Sequence, residues 1–280
     1  MKIAVTGASG FVGRHVLAEL ARHQVEVVAA SRDPARLPVL AAQCTAVQLD
    51  IAAPPADAFV RLGRPDVLIH LAWDGLPNYK SLHHFAAELP RQFNFLHALV
   101  EAGLPKLLVT GTCFEYGMQS GALAEDLEPQ PQNPYGFAKD ALRRELQFLQ
   151  AAKPFALTWA RLFYMFGDGQ PAGSLYPQLQ LAVAKGEKTF NMSGGEQLRD
   201  YLPVGEVARL LVALALTEHD PQIVNVCSGT PVAVRDLVKR WLSDNNWSIA
   251  LNLGHYPYPD YEPMSFWGST ARLSAALSNR

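Results

Sequence analysis

Eight residues near the start of the chain restrict its possible folds more than anything else in it. Thr6-Gly7-Ala8-Ser9-Gly10-Phe11-Val12-Gly13 follows directly on Lys2-Ile3-Ala4-Val5, which reads as a short buried parallel strand. Phe11, Val12, Val16, Leu17 and Leu20 then recur at helical spacing. The glycines therefore stand in a strand-to-helix turn. Gly7 permits the tight turn, Gly10 lets backbone approach a pyrophosphate, and Gly13 lets the helix lie close to the strand. The free N–H groups at the helix start, and the helix dipole, favour phosphate charge there. Gly7, Ser9, Gly10, Phe11, Val12 and Gly13 are thus candidate dinucleotide contacts.

The spacing is G-x-x-G-x-x-G, not G-x-G-x-x-G. In this the chain resembles the extended short-chain dehydrogenase/reductase family (the NAD-dependent epimerase/dehydratase group), which includes nucleotide-sugar epimerases, dehydratases and reductases. The resemblance is specific at 6–13, 112–117, 134–139 and 199–204. It implies an α/β fold, a Rossmann-type doubly wound parallel sheet with a smaller C-terminal substrate-binding lobe. Residues 1–161 would form the dinucleotide-binding domain. Residues 162–280 would be mainly the lobe, with a segment around 203–230 returning to the Rossmann half.

The bulk numbers agree with a soluble enzyme. The 280 residues are 49% hydrophobic, enough for a full core. A net charge of −2 without a basic run argues against nucleic acid and against an anionic membrane surface. No apolar stretch reaches transmembrane length, and a strand beginning at Lys2 leaves no room for a signal peptide. Cys44, Cys113 and Cys227 form no C-x-x-C pair and read as reduced thiols of a cytoplasmic protein. No metal site is expected.

The second strand, Val25–Ala30, ends in Ser31-Arg32-Asp33-Pro34. In NAD-binding versions an acid at this strand end holds the ribose hydroxyls. Ser31 stands at that place and Arg32 follows, a guanidinium able to grip a 2′-phosphate. NADP(H) is therefore preferred over NAD(H); the alternative is that Asp33 takes the ribose. Ala46–Leu49 reads as the third strand. The resemblance makes Asp50 a candidate for the adenine amino group, with Ile51 beside it; a turn-forming Asp is the other reading. Asp66–Ala72 is the fourth strand, whose end, Leu71-Ala72, would abut the cofactor. Trp73 replaces the family's second alanine, and the loop 73–80 is expected to shape the substrate pocket. Leu82–Ala102 has helical periodicity, kinked or restarted by Pro90. In it, Asn94 matches a family asparagine that supports the catalytic network.

The fifth strand, Leu107–Thr110, is followed by Thr112, and Pro134–Lys139 opens a helix containing Tyr135-x-x-x-Lys139. Positions i and i+4 share a helix face, so both side chains can reach one site. An ammonium near a phenol is expected to lower the phenol's pKa toward neutrality. By resemblance, Tyr135 is the acid/base on the substrate oxygen. Lys139 holds the nicotinamide ribose, Thr112 hydrogen-bonds the substrate oxygen, and Thr110 lies against the cofactor. Dehydratases of the family carry an Asp-Glu pair after the Thr. Here Cys113-Phe114 stand there, and Glu115, one position later, is expected to point elsewhere.

Past Arg161 the alternation becomes irregular. Tyr164 replaces an asparagine that contacts substrate phosphates in the family. Thr189–Met192 is read as a short strand in which Asn191 could flank a nucleobase. Arg199–Val204 resembles the R-D-[YF]-[IV]-x-V element whose Arg binds the diphosphate; a surface ion pair with Asp200 is the plain alternative. Trp73, Thr112, Tyr164, Asn191 and Arg199 are thus the candidate substrate contacts. The Pro- and Tyr-rich segment 256–263 is not a regular helix. Together these imply an NADPH-dependent reductase of a nucleotide-activated keto-sugar, of the dTDP-4-keto-6-deoxyhexose 4-reductase kind that feeds surface polysaccharide (O-antigen) synthesis. A C4-epimerase retaining NAD is the alternative, and a non-catalytic NADP sensor a distant third. The resemblance also implies a homodimer through helices 82–102 and 135–152.

Overall fold

Ile3, Ala4 and Val5 are fully buried, as a strand covered on both faces requires. They lie in β1 (Lys2–Thr6) of a computed structural model that describes residues 1–38, 44–218 and 220–278. The first half continues with α1 (Phe11–Leu20), β2 (Glu26–Ser31), β3 (Cys44–Gln48), α2 (Ala58–Arg61), β4 (Val67–His70), α3 (Leu89–Glu101) and β5 (Lys106–Thr112). The chain then runs through β6 (Gly121–Leu123), α4 (Pro134–Ala152), β7 (Ala156–Leu162), β8 (Tyr164–Phe166), α5 (Leu175–Ala184), β9 (Thr189–Asn191), β10 (Leu198–Pro203) and α6 (Val204–Ala215). It closes with β11 (Ile223–Val226), β12 (Pro231–Ala233), α7 (Val234–Asp244), β13 (Ala250–Asn252), β14 (Phe266–Gly268) and α8 (Ala271–Ser278).

Seven of these strands form one parallel sheet in the order β11-β7-β5-β4-β1-β2-β3. Strand order reverses at β1, between β4 and β2, so a crevice opens above the carboxyl ends of β1 and β4. Residues of α1, α6 and α8 pack with Ile3, Val5 and Ile69 on one face. On the other, Phe95 and Leu96 of α3 and Leu142 and Leu146 of α4 pack with Leu68 and Leu107. This is the doubly wound arrangement. The sequence 203–230 contributes α6, against α1, and the edge strand β11.

Most of the remaining C-terminal elements cluster around Leu179, Phe190, Val238 and Trp241, with the small sheets β12-β10-β8 and β13-β9, while β14 pairs with β6. Among the described residues no helix is long and apolar enough to cross a membrane.

Several bounds differ from the sequence reading: β2, β4 and β5 shift by one to two residues at their ends, so that Thr112 closes β5 rather than following it. β3 spans Cys44–Gln48 rather than Ala46–Leu49. It is an edge strand with a largely exposed face, so hydrophobic periodicity marks its limits poorly. The helix expected from Leu82 begins as a π-helical turn, His84–Glu88, and becomes α-helical at Leu89 with Pro90 in its first turn. Proline lacks an N–H and is tolerated there. The wider turn directs His84 and Glu88 inward, and both are buried.

Candidate active site

The glycine turn is built for close approach. Gly7 has φ +69°, and a Cβ there would meet the Ala72 backbone N at 2.8 Å. A Cβ on Gly13 would lie 2.2 Å from the Gly7 carbonyl oxygen. Gly10 caps α1 with extended backbone and no side chain over the helix end. The first N–H groups of α1 therefore face the crevice, a cradle that suits a dinucleotide pyrophosphate.

Two cavities adjoin this turn. The first, of ≈ 350 Å³, lies over the carboxyl ends of β1, β2 and β4. Ser9, Ser31, Arg32, Asp50, Ile51, Leu71, Ala72 and Trp73 line it, as does Arg36, which the sequence reading passed over. Ser9 and Ser31 share a hydroxyl–hydroxyl bond of 2.9 Å, and the Asp33 carboxylate accepts from the Ala35 N–H. The Arg32 side chain is two-thirds exposed, with its nearest carboxylate, Asp74, 3.7 Å away. Asp50 caps its own turn by accepting from the Ala52 N–H.

The second cavity, of ≈ 390 Å³, holds the reacting groups. Phe11, Val12, Gly13, Thr110, Thr112, Tyr135, Lys139 and Tyr164 line it, and Gly7, Gly10, Leu71 and Trp73 line both cavities. Asn133 caps α4 by accepting from the Gly136 N–H, which places Tyr135 in the first turn and Lys139 one turn on. The Tyr135 N–H donates to the Tyr79 carbonyl. Thr112 and Tyr135 face the same cavity, and the Thr112 hydroxyl accepts from the Phe114 N–H. The Lys139 ammonium donates to the Thr110 carbonyl at 2.8 Å and sits over the Trp73 ring.

The phenol does not meet the expectation of a lowered pKa. Burial pushes Tyr135 well up, and the neighbouring Tyr79, Glu115 and Cys113 push the same way. The rings of Tyr79, His84, Trp73 and Phe114 surround it with centroids 5.3–6.3 Å away. Lys139 is itself pushed down to about 7 by burial, against the pull of Glu115 and Glu88. In this state Tyr135 is a held proton rather than a phenolate.

A buried polar chain that the sequence reading missed lines the first cavity through Thr6, Glu88 and Gln92. His70 Nδ1 bonds the Thr6 hydroxyl at 2.8 Å and His70 Nε2 bonds Gln92 Oε1 at 2.6 Å. Gln92 Nε2 donates to Glu88 and to the Ala72 carbonyl, and Glu88 also accepts from the Asp74 N–H. Asn94 is exposed, so the expected support from that residue falls instead to Glu88 and Gln92. The signal was present: His84, Glu88 and Gln92 recur every fourth residue, a polar stripe beside Phe95 and Leu96.

Glu115 points away from the cavity, as expected. It accepts from Thr112 N–H, Trp159 Nε1 and Arg161 Nε. Arg199 and Asn191 line neither cavity. Arg199 is buried, bonded to Glu262 of the 256–263 segment at 2.9 Å and stacked on Phe266. The alternative pairing with Asp200 does not occur, because Asp200 accepts from the Ser228 and Gly229 N–H groups. Asn191 is exposed on β9 and bonded to Asn252. The 256–263 segment reaches across to the Rossmann half through Lys80–Asp260 and through Tyr261 against Phe114.

Fold, glycine cradle and the Thr112–Tyr135–Lys139 group define a class. A sequence model of the NAD dependent epimerase/dehydratase family matches residues 3–227, and the chain belongs to that family. It is an enzyme of the extended short-chain dehydrogenase/reductase type. Among named relatives it is similar to dTDP-6-deoxy-L-talose 4-dehydrogenase (NAD(+)) of Aggregatibacter actinomycetemcomitans, 28% identical over 96% of this chain and 100% of that protein. It is 26% identical to dTDP-6-deoxy-L-talose 4-dehydrogenase (NAD(P)(+)) of Kitasatospora kifunensis, over 92% of this chain and 83% of that one. Among solved structures it resembles MoeE5 in complex with UDP-glucuronic acid and NAD. The TM-score is 0.84 and the identity 26%, over 99% of this chain and 93% of that one.

Proposed function

We propose that this protein is an NADPH-dependent reductase of a nucleotide-activated keto-sugar, most specifically a dTDP-4-keto-6-deoxyhexose 4-reductase that supplies surface polysaccharide precursors. The observation that carries this reading is the convergence of Thr112, Tyr135 and Lys139 on one recess walled by Leu76, Pro77, Tyr79 and Phe114. Such walls suit a deoxy sugar's methyl group. A reduced nicotinamide held by the glycine turn and Lys139 would supply hydride to the keto carbon. Tyr135 donates its proton to the oxygen as negative charge develops there, and Thr112 holds that oxygen by a hydrogen bond. Lys139 offsets the charge left on the phenol. Cys113 and Phe114 supply no carboxyl pair for dehydration.

Arg32 and Arg36, with the Ser9–Ser31 hydroxyls, favour a 2′-phosphate, while Asp33 is engaged in its own turn. With a panel of nucleotide-activated 4-keto-6-deoxyhexoses, the protein is expected to oxidise NADPH in equal measure with the alcohol formed, followed by absorbance and product NMR. Arg32→Ala is expected to raise the KM for NADPH about tenfold and leave that for NADH unchanged. Epimerisation without net consumption of NADPH would refute the reductase, and equal affinity for both cofactors in the wild type would refute the preference.

We also infer a homodimer. Phe85 and Phe137 meet edge to face at 6.1 Å and are exposed, as are Leu82 and Phe148. Phe137 and Phe148 lie eleven residues apart on α4, hence on one face. A second copy presenting the same face would cover this patch. Light scattering is expected to return the mass of two chains, and that of one chain for Phe137→Glu/Phe148→Glu. A wild-type monomer at assay concentration would contradict it.

A further inference from the structure

A lysine enclosed by protein loses the hydration that favours its charge. Lys139 is 2% exposed, yet the chemistry proposed above needs its ammonium. Its hydrogen bond to the Thr110 carbonyl replaces only part of that hydration. The indole of Trp73 lies against it, with Nζ 4.0 Å from the ring centroid. That is inside the range in which the negative face of an aromatic ring attracts a cation, and indole is the strongest such face.

The indole is itself fixed. Trp73 Nε1–H donates to His84 Nδ1 at 3.1 Å. Indole nitrogen is only a donor, so His84 Nδ1 carries no proton. His84 Nε2 therefore carries it and donates to the Asn78 carbonyl at 2.9 Å. Burial, which lowers the pKa of His84, keeps this neutral form. The imidazole stacks on the indole at 6.3 Å between centroids and packs on Tyr135 at 5.3 Å. One neutral histidine thus braces both the ring that covers Lys139 and the ring of the acid.

We propose that Trp73, braced by His84, is the positioning residue that keeps the Lys139 ammonium charged beside Tyr135. This rests on the reading of Tyr135 and Lys139 given above. The other groups that face Lys139 are Glu88 from the π-helical turn, Glu115 from the turn after β5, His70 from β4, and His84 and Tyr135 themselves. The two carboxylates favour the ammonium. His70 is also held neutral by burial and does not oppose it. Trp73 supplies attraction without another titrating group, so the cavity gains a stabilised cation and no carboxylate of its own.

The test reads Lys139 directly in the cofactor-free chain, by NMR titration of the lysine Cε–Hε signals. The Lys139 signal is assigned by its loss in Lys139→Met. Trp73→Leu is expected to lower its midpoint by about one pH unit. Trp73→Phe, which keeps a weaker ring face, lowers it less, and His84→Ala lowers it by freeing the indole. The alkaline limb of kcat for reduction is expected to move down by the same amount. A midpoint unchanged in folded Trp73→Leu overturns the proposal; should that variant not fold, an unchanged midpoint in Trp73→Phe does so. Turnover retained by Tyr135→Phe would remove the functional reading, whatever the titration shows. An inactive Tyr135→Phe with an unmoved Lys139 midpoint would remove only the role of Trp73.

Discussion

Tyr135→Phe is expected to lower kcat by about 10²- to 10⁴-fold, the usual contribution of a positioned general acid. The phenyl ring keeps the contacts with Tyr79, His84, Trp73 and Phe114, because only the hydroxyl is lost. The Tyr135 N–H still reaches the Tyr79 carbonyl. Stability is therefore expected to change little. Cofactor affinity is expected to hold largely too, since the glycine turn, the first cavity and Lys139 are unchanged. The loss should fall on kcat and on kcat/KM alike, as when an interaction made only in the transition state is removed. Steady-state kinetics with a keto-sugar nucleotide, beside cofactor titration by fluorescence, separates these effects. A variant with kcat within threefold of wild type would take the proton-donor role from Tyr135. A variant that also loses cofactor would show that the change disturbed the site as a whole.

What the sequence disclosed and what it withheld divide along a physical line. The glycine turn and the Tyr135/Lys139 pair are encoded within a few residues by local geometry. Backbone sterics set the first and helical periodicity the second, so both were legible. The sheet followed because each of its inner strands is a short apolar run flanked by turn residues. The brace on Lys139 was not legible in the same way. Trp73 is visibly unusual, but its contact with His84 depends on a π-helical turn that redirects the following side chains. The polar stripe His84, Glu88, Gln92 was legible at i, i+4 spacing, but not that a π-helical turn would bring His84 against Trp73. Glu262 is the extreme case. It reaches Arg199 across 63 residues, through a segment whose prolines say only that it is not a helix.

The carboxylate with the greatest effect on stability is expected to be Glu115, which does not itself line the cavity. Its side chain and that of Arg161 are at most 1% exposed and meet at 2.7 Å. Removing one member of a buried pair strands the other charge, at a cost of about 3–5 kcal/mol. Glu115→Gln is therefore expected to lower stability by about that much and the melting temperature by roughly 10 °C. Burial excludes counter-ions, so added salt should not restore it. Activity is expected to fall as well, because Glu115 accepts the Thr112 N–H and completes the capping box that fixes the Thr112 side chain at the cavity. The double variant Glu115→Gln/Arg161→Met removes the stranded guanidinium and is expected to recover much of the stability but not the activity. Denaturant melts of both variants, read beside kcat, decide the matter. A single variant that melts within 1 kcal/mol of wild type would mean that the pair does not hold the turn after β5 in place, and that Thr112 owes its position to β5 alone.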